Sequence, residues 1–252
     1  MDEIEIHEFK KVKLNKPVMI EGLPGVGNVG KLVAEHIIHE LNAEKILELY
    51  SWHFPPQVLV NNDGTVSLSK NELYACKSKE QDLLILSGDQ QSVTNEGHYL
   101  IAETLLDIAQ QYEVSRIYTL GGYGIGQLVE KQTVLGATNK TELVDEMKKY
   151  GVEFREEEPG GSIVGASGLL LGLGQLRDIP AVCLLGMTSG YLVDPKSAQA
   201  VLAILCRALN LELNMQAMKD RAEEMEKVIE RLKEMEQAQI PRMREEELGY
   251  IR

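Results

Sequence analysis

The chain has 252 residues, of which 44% are hydrophobic and 26% are charged, so it is long enough to bury a sizeable core within one domain. Its formal net charge of −13 argues against a nucleic-acid binder, because such proteins neutralise phosphates with a basic surface. Neither a transmembrane run of about eighteen apolar residues nor a basic, apolar secretory leader is recognisable, so we expect a soluble chain.

Strand and helix patterns alternate along the first 210 residues. Ile4, Ile6 and Phe9 are interleaved with charged residues, which suits an edge strand or a solvent-facing hairpin arm. Short apolar runs predict strands over residues 17–21, 45–50, 82–88, 116–120, 133–138 and 180–185. Apolar residues at helical spacing predict helices over residues 31–41, 95–112, 140–150, 165–176 and 198–209. The strand over 116–120 is expected to stop at Gly121-Gly122, and the helix over 165–176 to be buried on most faces.

One segment departs from this alternation. Residues 58–76 contain two or three β-like runs around Asn61-Asn62-Asp63-Gly64, and an Asp-Gly pair between such runs is typical of a hairpin turn. The fold predicted for residues 1–210 is therefore a three-layer α/β/α sandwich with a mostly parallel sheet and an antiparallel hairpin insertion.

The chain changes character after Asn210. Apolar residues then recur at alternating spacings of four and three, which is the narrow a/d stripe of a coiled coil: Leu211, Met215, Met218, Ala222, Met225, Ile229 and Leu232. We predict an amphipathic helix over 211–240, whose stripe packs on the domain or on another chain, and a flexible tail over 241–252 after Pro241.

The most distinctive local motif is the glycine loop, Gly22-Leu23-Pro24-Gly25-Val26-Gly27-Asn28-Val29-Gly30, between a strand and a helix. Gly25, Gly27 and Gly30 match a dinucleotide-binding fingerprint, and Glu48 lies where a ribose-binding acid would be expected. Against this, three residues separate the strand from the first glycine of the fingerprint. Two interpretations remain open: a structural turn that permits close helix packing, or a nucleotide site of an enzyme or ligand sensor.

Other candidate sites are weaker. Two further glycine loops, 121–126 and 159–162, lack the Lys-Ser/Thr ending of a P-loop. Ser167 lies in a near match to a nucleophile elbow, but no partner histidine can be named. The acids Asp89, Glu96 and Asp194 are expected to cap helices or to lie in loops, Asp194-Pro195 as a helix start. We therefore predict no catalytic residue and no cofactor.

Cysteine and histidine placement argues against a metal site. Cys76, Cys183 and Cys206 are far apart and are expected to be free thiols in a reducing cytoplasm. His36 and His39 share one helix, three residues apart, without a further ligand cluster nearby. The only tryptophan lies in Tyr50-Ser51-Trp52-His53-Phe54-Pro55-Pro56, which is either an exposed contact patch or part of the core.

Taken together, the sequence resembles the archaeal branch of the proteasome assembly chaperone family. The resemblance rests on the glycine loop over 22–30, on Phe54-Pro55-Pro56 before the hairpin, on Gly121-Gly122-Tyr123 and on Gly186-Met187-Thr188. It covers residues 4–210. It implies a nucleoside-phosphorylase-like sandwich, a structural role for Gly22, Pro24, Gly25, Gly27 and Gly30, and a non-enzymatic homo-oligomer, a tetramer or pentamer, that binds the α ring of the proteasome core particle.

The resemblance also draws attention to the C-terminus. Proteasome activators of this type insert a hydrophobic-Tyr-any tail into pockets between α subunits, and this chain ends Leu248-Gly249-Tyr250-Ile251-Arg252. Tyr250 is third from the end and not second, so Ile251 takes the tyrosine's place if the pocket is measured from the carboxylate. The proteasome-binding residues implied here are Leu248, Tyr250, Ile251 and Arg252.

Overall fold

The computed structural model describes residues 3–78, 80–129, 131–155, 161–225 and 227. The strands in chain order are β1 (Ile4–Glu8), β2 (Val18–Glu21), β3 (Glu44–Ser51), β4 (Val58–Val60), β5 (Val66–Leu68), β6 (Asn71–Cys76), β7 (Leu83–Gly88), β8 (Arg116–Gly124), β9 (Val134–Thr138) and β10 (Ala181–Thr188). The helices are α1 (Val29–Glu40), α2 (Asn95–Gln111), α3 (Thr141–Lys149), α4 (Ala166–Leu176) and α5 (Pro195–Leu209).

Eight strands form the middle layer, in the order β1-β3-β6-β7-β2-β8-β10-β9. The four central strands, β7, β2, β8 and β10, are parallel, because each connection between them crosses over through a helix. The outer strands pair antiparallel. β1 is an edge strand, which is one of the two arrangements that its alternation of apolar and charged residues predicted.

Two cores lie on the two faces of this sheet, because successive strand residues point to opposite sides. Met19 of β2 packs with α2 and α4, whereas its neighbours Val18 and Ile20 pack with α1, α3 and α5. Helices therefore cover both faces, which confirms the predicted three-layer arrangement.

The hairpin insertion is also present. β4 pairs with β5 to form a separate two-stranded sheet, and the turn between them contains Asn61 and Gly64. The third run of the insertion, β6, enters the main sheet between β3 and β7. This places β3 three strands away from β2, although β3 follows α1 directly in the chain.

Two local predictions were wrong. β8 does not stop at Gly121-Gly122 but continues to Gly124, because these glycines remain in parallel register with β10 as far as Thr188. α4 is not buried on most faces: Gly172 and Leu176 on its outer side are exposed, since α4 packs on α2 and the sheet through one side only.

The chain turns at Asn210, whose left-handed backbone (φ 52°) ends α5 at the predicted boundary. Packing continues beyond this point. Leu211, Met218 and Ala222 are buried, Leu211 and Met218 within the core formed by α1 and α5. Residues 211–215 are not helical, so the predicted start of the amphipathic helix at 211 was wrong, and the described helix covers residues 216–225. Because Met218 and Ala222 of this helix are buried, it packs on its own domain. Ile229, Leu232 and the rest of the predicted helix and tail lie outside the described residues.

Asp194 begins α5, as the sequence predicted. Its Oδ1 accepts a hydrogen bond from the Ser197 backbone N–H at 2.9 Å, and Pro195 occupies the first turn, where no backbone donor is needed. We expect Asp194→Ala to lower the free energy of unfolding by about 1 kcal/mol and Asp194→Asn to retain most of it. Chemical denaturation of both variants tests this, and an equal loss in the two would exclude the capping role.

Candidate functional site

The glycine loop lies at the carboxyl end of β2, where ligand sites form in parallel sheets. A single 3-10 turn over Val26–Asn28 connects it to α1. Gly27 and Asn28 both have left-handed backbones (φ 63° and 51°), a conformation that glycine and asparagine tolerate best. The loop is therefore a sharp change of direction between strand and helix.

Two glycines of this loop lie against other backbone segments. A Cβ on Gly22 would lie 2.3 Å from the carbonyl oxygen of Gly30, and a Cβ on Gly30 would lie 2.2 Å from the carbonyl oxygen of Leu120. Neither distance is possible for a real side chain, so only glycine lets α1 approach β2 and β8 this closely.

The other loop residues are held by neighbouring segments. The Gln91 side chain donates a hydrogen bond to the Pro24 carbonyl at 2.8 Å, and the Asp194 N–H donates to the Gly27 carbonyl at 2.9 Å. Gly25 has space around its Cα, with the Gln91 amide 4.0 Å from a hypothetical Cβ. The loop is thus fixed by contacts with the strand ends and with the start of α5.

Glu48 does not lie beside this loop. It is on β3, three strand spacings or about 14 Å from β2. In a dinucleotide-binding unit the strand that carries the ribose-binding acid is adjacent to the strand before the glycines. Here β6 and β7 lie between the two, so the arrangement differs from that unit.

Glu48 belongs instead to a charged network on β3 and β6. It accepts hydrogen bonds from Lys45 at 2.5 Å, from Tyr50 at 2.8 Å and from Lys70, and Lys45 also contacts Glu72. Burial raises the pKa of Glu48, but these donors together outweigh it and bring the pKa down to about 2. Both of its carboxylate oxygens accept hydrogen bonds from these side chains, which favours a structural role.

The most unusual ionisable group is Glu21, the last residue of β2, which is fully buried. Its carboxylate accepts hydrogen bonds from the Leu23 N–H at 3.0 Å and from the Ser167 hydroxyl at 2.8 Å. Burial raises its pKa to about 7, and hydrogen bonds from Leu23, Ser167 and Leu120 offset only part of that rise. The charged residue at the end of an apolar run was the only sequence signal for it.

Ser167 is therefore a donor to a buried carboxylate and not an exposed nucleophile. It lies at the start of α4 and is itself buried. A nucleophilic serine needs an adjacent base and access for the substrate. The Ser167–Glu21 hydrogen bond instead joins α4 to the end of β2, next to the glycine loop.

The second glycine loop packs against the first. A Cβ on Gly122 would lie 2.2 Å from the Val26 carbonyl oxygen, and the Tyr191 hydroxyl donates to the Gly126 carbonyl at 3.3 Å. Of the third loop, Pro159 and Gly160 lie outside the described residues, and Gly161 and Ser162 precede α4. The first two glycine loops thus meet at the carboxyl ends of β2, β8 and β10.

The remaining candidate polar residues have structural partners. Asp89 accepts a hydrogen bond from the Lys70 N–H at 3.1 Å, and Glu96 lies in the first turn of α2. His36 is buried and bonded to the Asn214 carbonyl at 2.9 Å, which ties α1 to the segment before the C-terminal helix, whereas His39 points to solvent and contacts Glu40. Within the described ranges, no three His, Cys, Asp or Glu side chains cluster as metal ligands.

The C-terminal stripe divides into several environments. Leu211, Met218 and Ala222 are buried, while Met215 and Met225 are partly buried.

No helix in the part of the chain that the structure describes is long and apolar enough to cross a membrane. The proteasome-binding residues implied by the resemblance, Leu248, Tyr250, Ile251 and Arg252, lie outside that part.

The aromatic segment divides between core and surface. Phe54 is buried in the core with α2 and α4, whereas Trp52 is 64% exposed. Trp52, Pro55 and Pro56 line a groove of about 620 Å³ that extends to the β4–β5 hairpin. The sequence predicted the hairpin but not this groove, because alternation indicates which residues share a face and not what covers that face.

Comparison with known proteins gives a consistent set of relatives. Residues 19–233 match the PAC2 family. The chain is 43% identical over 251 residues to the uncharacterized protein MJ1210 of Methanocaldococcus jannaschii, with 96% of each chain covered.

Two solved structures from Pyrococcus furiosus are similar. PbaB, described as an archaeal proteasome activator, is 41% identical with a TM-score of 0.88, and the match covers 92% of this chain and 100% of PbaB. PbaA, described as an archaeal homolog of proteasome-assembly chaperone, is 25% identical with a TM-score of 0.76, and the match covers 99% and 100%.

Proposed function

This chain belongs to the PAC2 family, and from that membership we propose that it is a non-enzymatic, homo-oligomeric scaffold that binds the α ring of the proteasome core particle. The observation that carries the proposal is the likeness to PbaB, at 41% identity over 92% of the chain. PbaA, described as a homolog of an assembly chaperone, is 25% identical, so activation is favoured over assistance in assembly. The protein would act in the cytoplasm.

The candidate site supports a scaffold. Among the described residues the possible nucleophile, Ser167, is buried and bonded to Glu21. Of the glycines that suggested a cofactor loop, Gly30 is required for close backbone packing and Gly27 for a left-handed turn. Glu48, the other residue of a possible nucleotide site, is three strands away from that loop. These observations favour the structural interpretation of the loop over the nucleotide-binding one.

We place the contact with the proteasome at the last five residues, Leu248–Arg252. A free carboxylate supplies charge, Tyr250 supplies apolar area with a polar tip, and Leu248 and Ile251 supply further apolar area.

Deletion of Leu248–Arg252 is expected to abolish binding to the proteasome core particle, because it removes the carboxylate and the side chains that the pocket would hold. The measurement is a pull-down with isolated core particles, followed by peptide hydrolysis, which full-length protein is expected to accelerate. Adding two residues after Arg252 provides a matched control that keeps all five side chains and moves only the carboxylate.

The outcomes separate the parts of the proposal. If both the deleted and the extended chains lose binding, binding requires the terminal carboxylate as well as the side chains. If only the deletion loses binding, the side chains are sufficient. Unchanged binding of the deleted chain would exclude the tail, and failure of the full-length chain to bind would exclude the proposed function itself.

A further inference from the structure

The β4–β5 hairpin presents an apolar face to solvent. Val58 pairs with Leu68 and Val60 with Val66, and because the two pairs are two residues apart, all four side chains lie on one face. Their exposed fractions are 51% for Val58, 75% for Val60, 61% for Val66 and 53% for Leu68. Single exposed apolar residues are common on protein surfaces, but a contiguous set of this kind marks an interaction site.

A concave surface adjoins this face. Val58 and Leu68 also line the groove of about 620 Å³, whose other walls include Trp52, Pro55 and Pro56. The chain therefore carries a projecting apolar face and an apolar groove side by side on one continuous patch, which we call the hairpin patch.

The hairpin is poorly supported by its own domain. Its two strands form a sheet by themselves, and neither pairs with another of the described strands. A two-stranded hairpin is marginally stable in water unless its apolar face is covered. Its outer strand edges also retain backbone groups that can pair with another chain. Both properties indicate that the hairpin patch becomes buried in an assembly.

The low charge of the hairpin patch, compared with the rest of the chain, indicates which partner would cover it. Residues 52–68 contain no Lys or Arg, and Asp63 is their only Asp or Glu, whereas the whole chain has a net charge of −13. Glu5 adds one acidic side chain to the groove lining, and His7 contacts its carboxylate at 2.7 Å. Two copies of so acidic a chain repel each other except where their contact surfaces are nearly uncharged. A basic partner, by contrast, would be recognised by the acidic surface elsewhere.

We propose that the hairpin patch is an interface with a second copy of this chain, in which the hairpin face of each copy covers the groove of the other. A surface that carries both complementary shapes suits a two-fold contact, because the same patch is used on both subunits. The proposal rests on the homo-oligomeric state in the proposed function and names the surface that produces it.

The test replaces the exposed cross-strand pair by a double substitution, Val60→Lys with Val66→Glu. Opposite charges across the hairpin preserve strand pairing while they remove the apolar face. In sedimentation analysis the unmodified chain is expected to have a particle mass that is a multiple of 28.1 kDa. The double variant is expected to have a lower mass, because its self-association is weakened more than about thirtyfold. The control, Leu176→Lys, changes a residue that is 83% exposed on α4 and is expected to keep the mass.

Trp52 gives a second readout, because it is the only tryptophan and lies in the hairpin patch. Its fluorescence should be protected from acrylamide in the unmodified oligomer and become more accessible in the double variant, while circular dichroism stays unchanged. Retention of the full mass by a folded double variant overturns the interface. A monomeric unmodified chain overturns both the interface and the homo-oligomeric proposal, and a variant that dissociates yet binds core particles leaves the tail proposal intact.

Discussion

Replacing Gly30 by alanine is expected to lower the free energy of unfolding by about 3 kcal/mol, the upper part of the range for overpacked sites. The new Cβ would lie 2.2 Å from the Leu120 carbonyl oxygen and 2.9 Å from its carbonyl carbon. These are backbone atoms of β8, a strand paired on both sides, so they cannot move without disturbing the centre of the sheet. The gain of helix propensity from alanine, about 1 kcal/mol, does not offset this clash.

Gly172 provides the matched control. It also lies within a helix, α4, but no heavy atom lies within 4 Å of a hypothetical Cβ at this position. We expect Gly172→Ala to stabilise the protein by up to about 1 kcal/mol. Urea denaturation of the two variants measures the difference directly. Equal effects at the two positions would mean that Gly30 is not required for close packing.

The close packing at Gly30 shows a distinction that the sequence alone could not make. The spacing of Gly25, Gly27 and Gly30 is compatible with a phosphate-binding turn and with close packing, because both need glycine for a near backbone approach. The sequence does not indicate which atoms approach. The structure identifies them as the backbone of Leu120 and, for Gly22, of Gly30 itself.

Secondary structure was predictable over most of the domain, because the strands and helices carry clear apolar periodicity. The central strand β2 and the helix α2, for example, lie within one residue of their predicted limits. Strand order was not predictable, since β3 follows α1 in the chain but is separated from β2 by β6 and β7. That placement depends on long-range pairing of the insertion, and it is what removes Glu48 from the glycine loop.

The sequence also could not predict which apolar faces are exposed and which are covered. The sequence predicted a hairpin within residues 58–76 but could not indicate that Val58 and Val60 lie on an exposed face of it. The narrow stripe after Asn210 required a packing partner, and the structure identifies that partner for Leu211, Met218 and Ala222 as the chain's own domain. In both cases the missing information was the identity of the covering element.

Burial of Glu21 is expected to make the stability of this protein depend on pH in an unusual direction. Because burial raises the pKa of Glu21 from 4.5 to about 7, the folded protein holds this proton more tightly than the unfolded chain. The favourable contribution is complete below pH 4.5 and is lost as pH rises through about 7. Cys183 nearby stays neutral throughout, since burial raises the pKa of its thiol to about 12.

The variant Glu21→Gln isolates this effect, because an amide has the shape of the protonated carboxyl and keeps an acceptor for the Leu23 N–H. We expect the unfolding free energy of the unmodified chain, relative to Glu21→Gln, to fall by about 3 kcal/mol between pH 4.5 and 7 and then to level off. Denaturant titrations at half-unit pH intervals from 4.5 to 8 measure this difference.

Glu48→Gln is the control with the opposite sign. The pKa of Glu48 is lowered to about 2, so its contribution to stability is complete above pH 4.5 and is lost only as pH falls towards 2. Between pH 5 and 8 the difference between the unmodified chain and Glu48→Gln should therefore be constant, while that for Glu21→Gln declines. A flat profile for Glu21→Gln would mean that water or a conformational change relieves the burial of this carboxylate, and that its contact with Ser167 is not a fixed part of the fold.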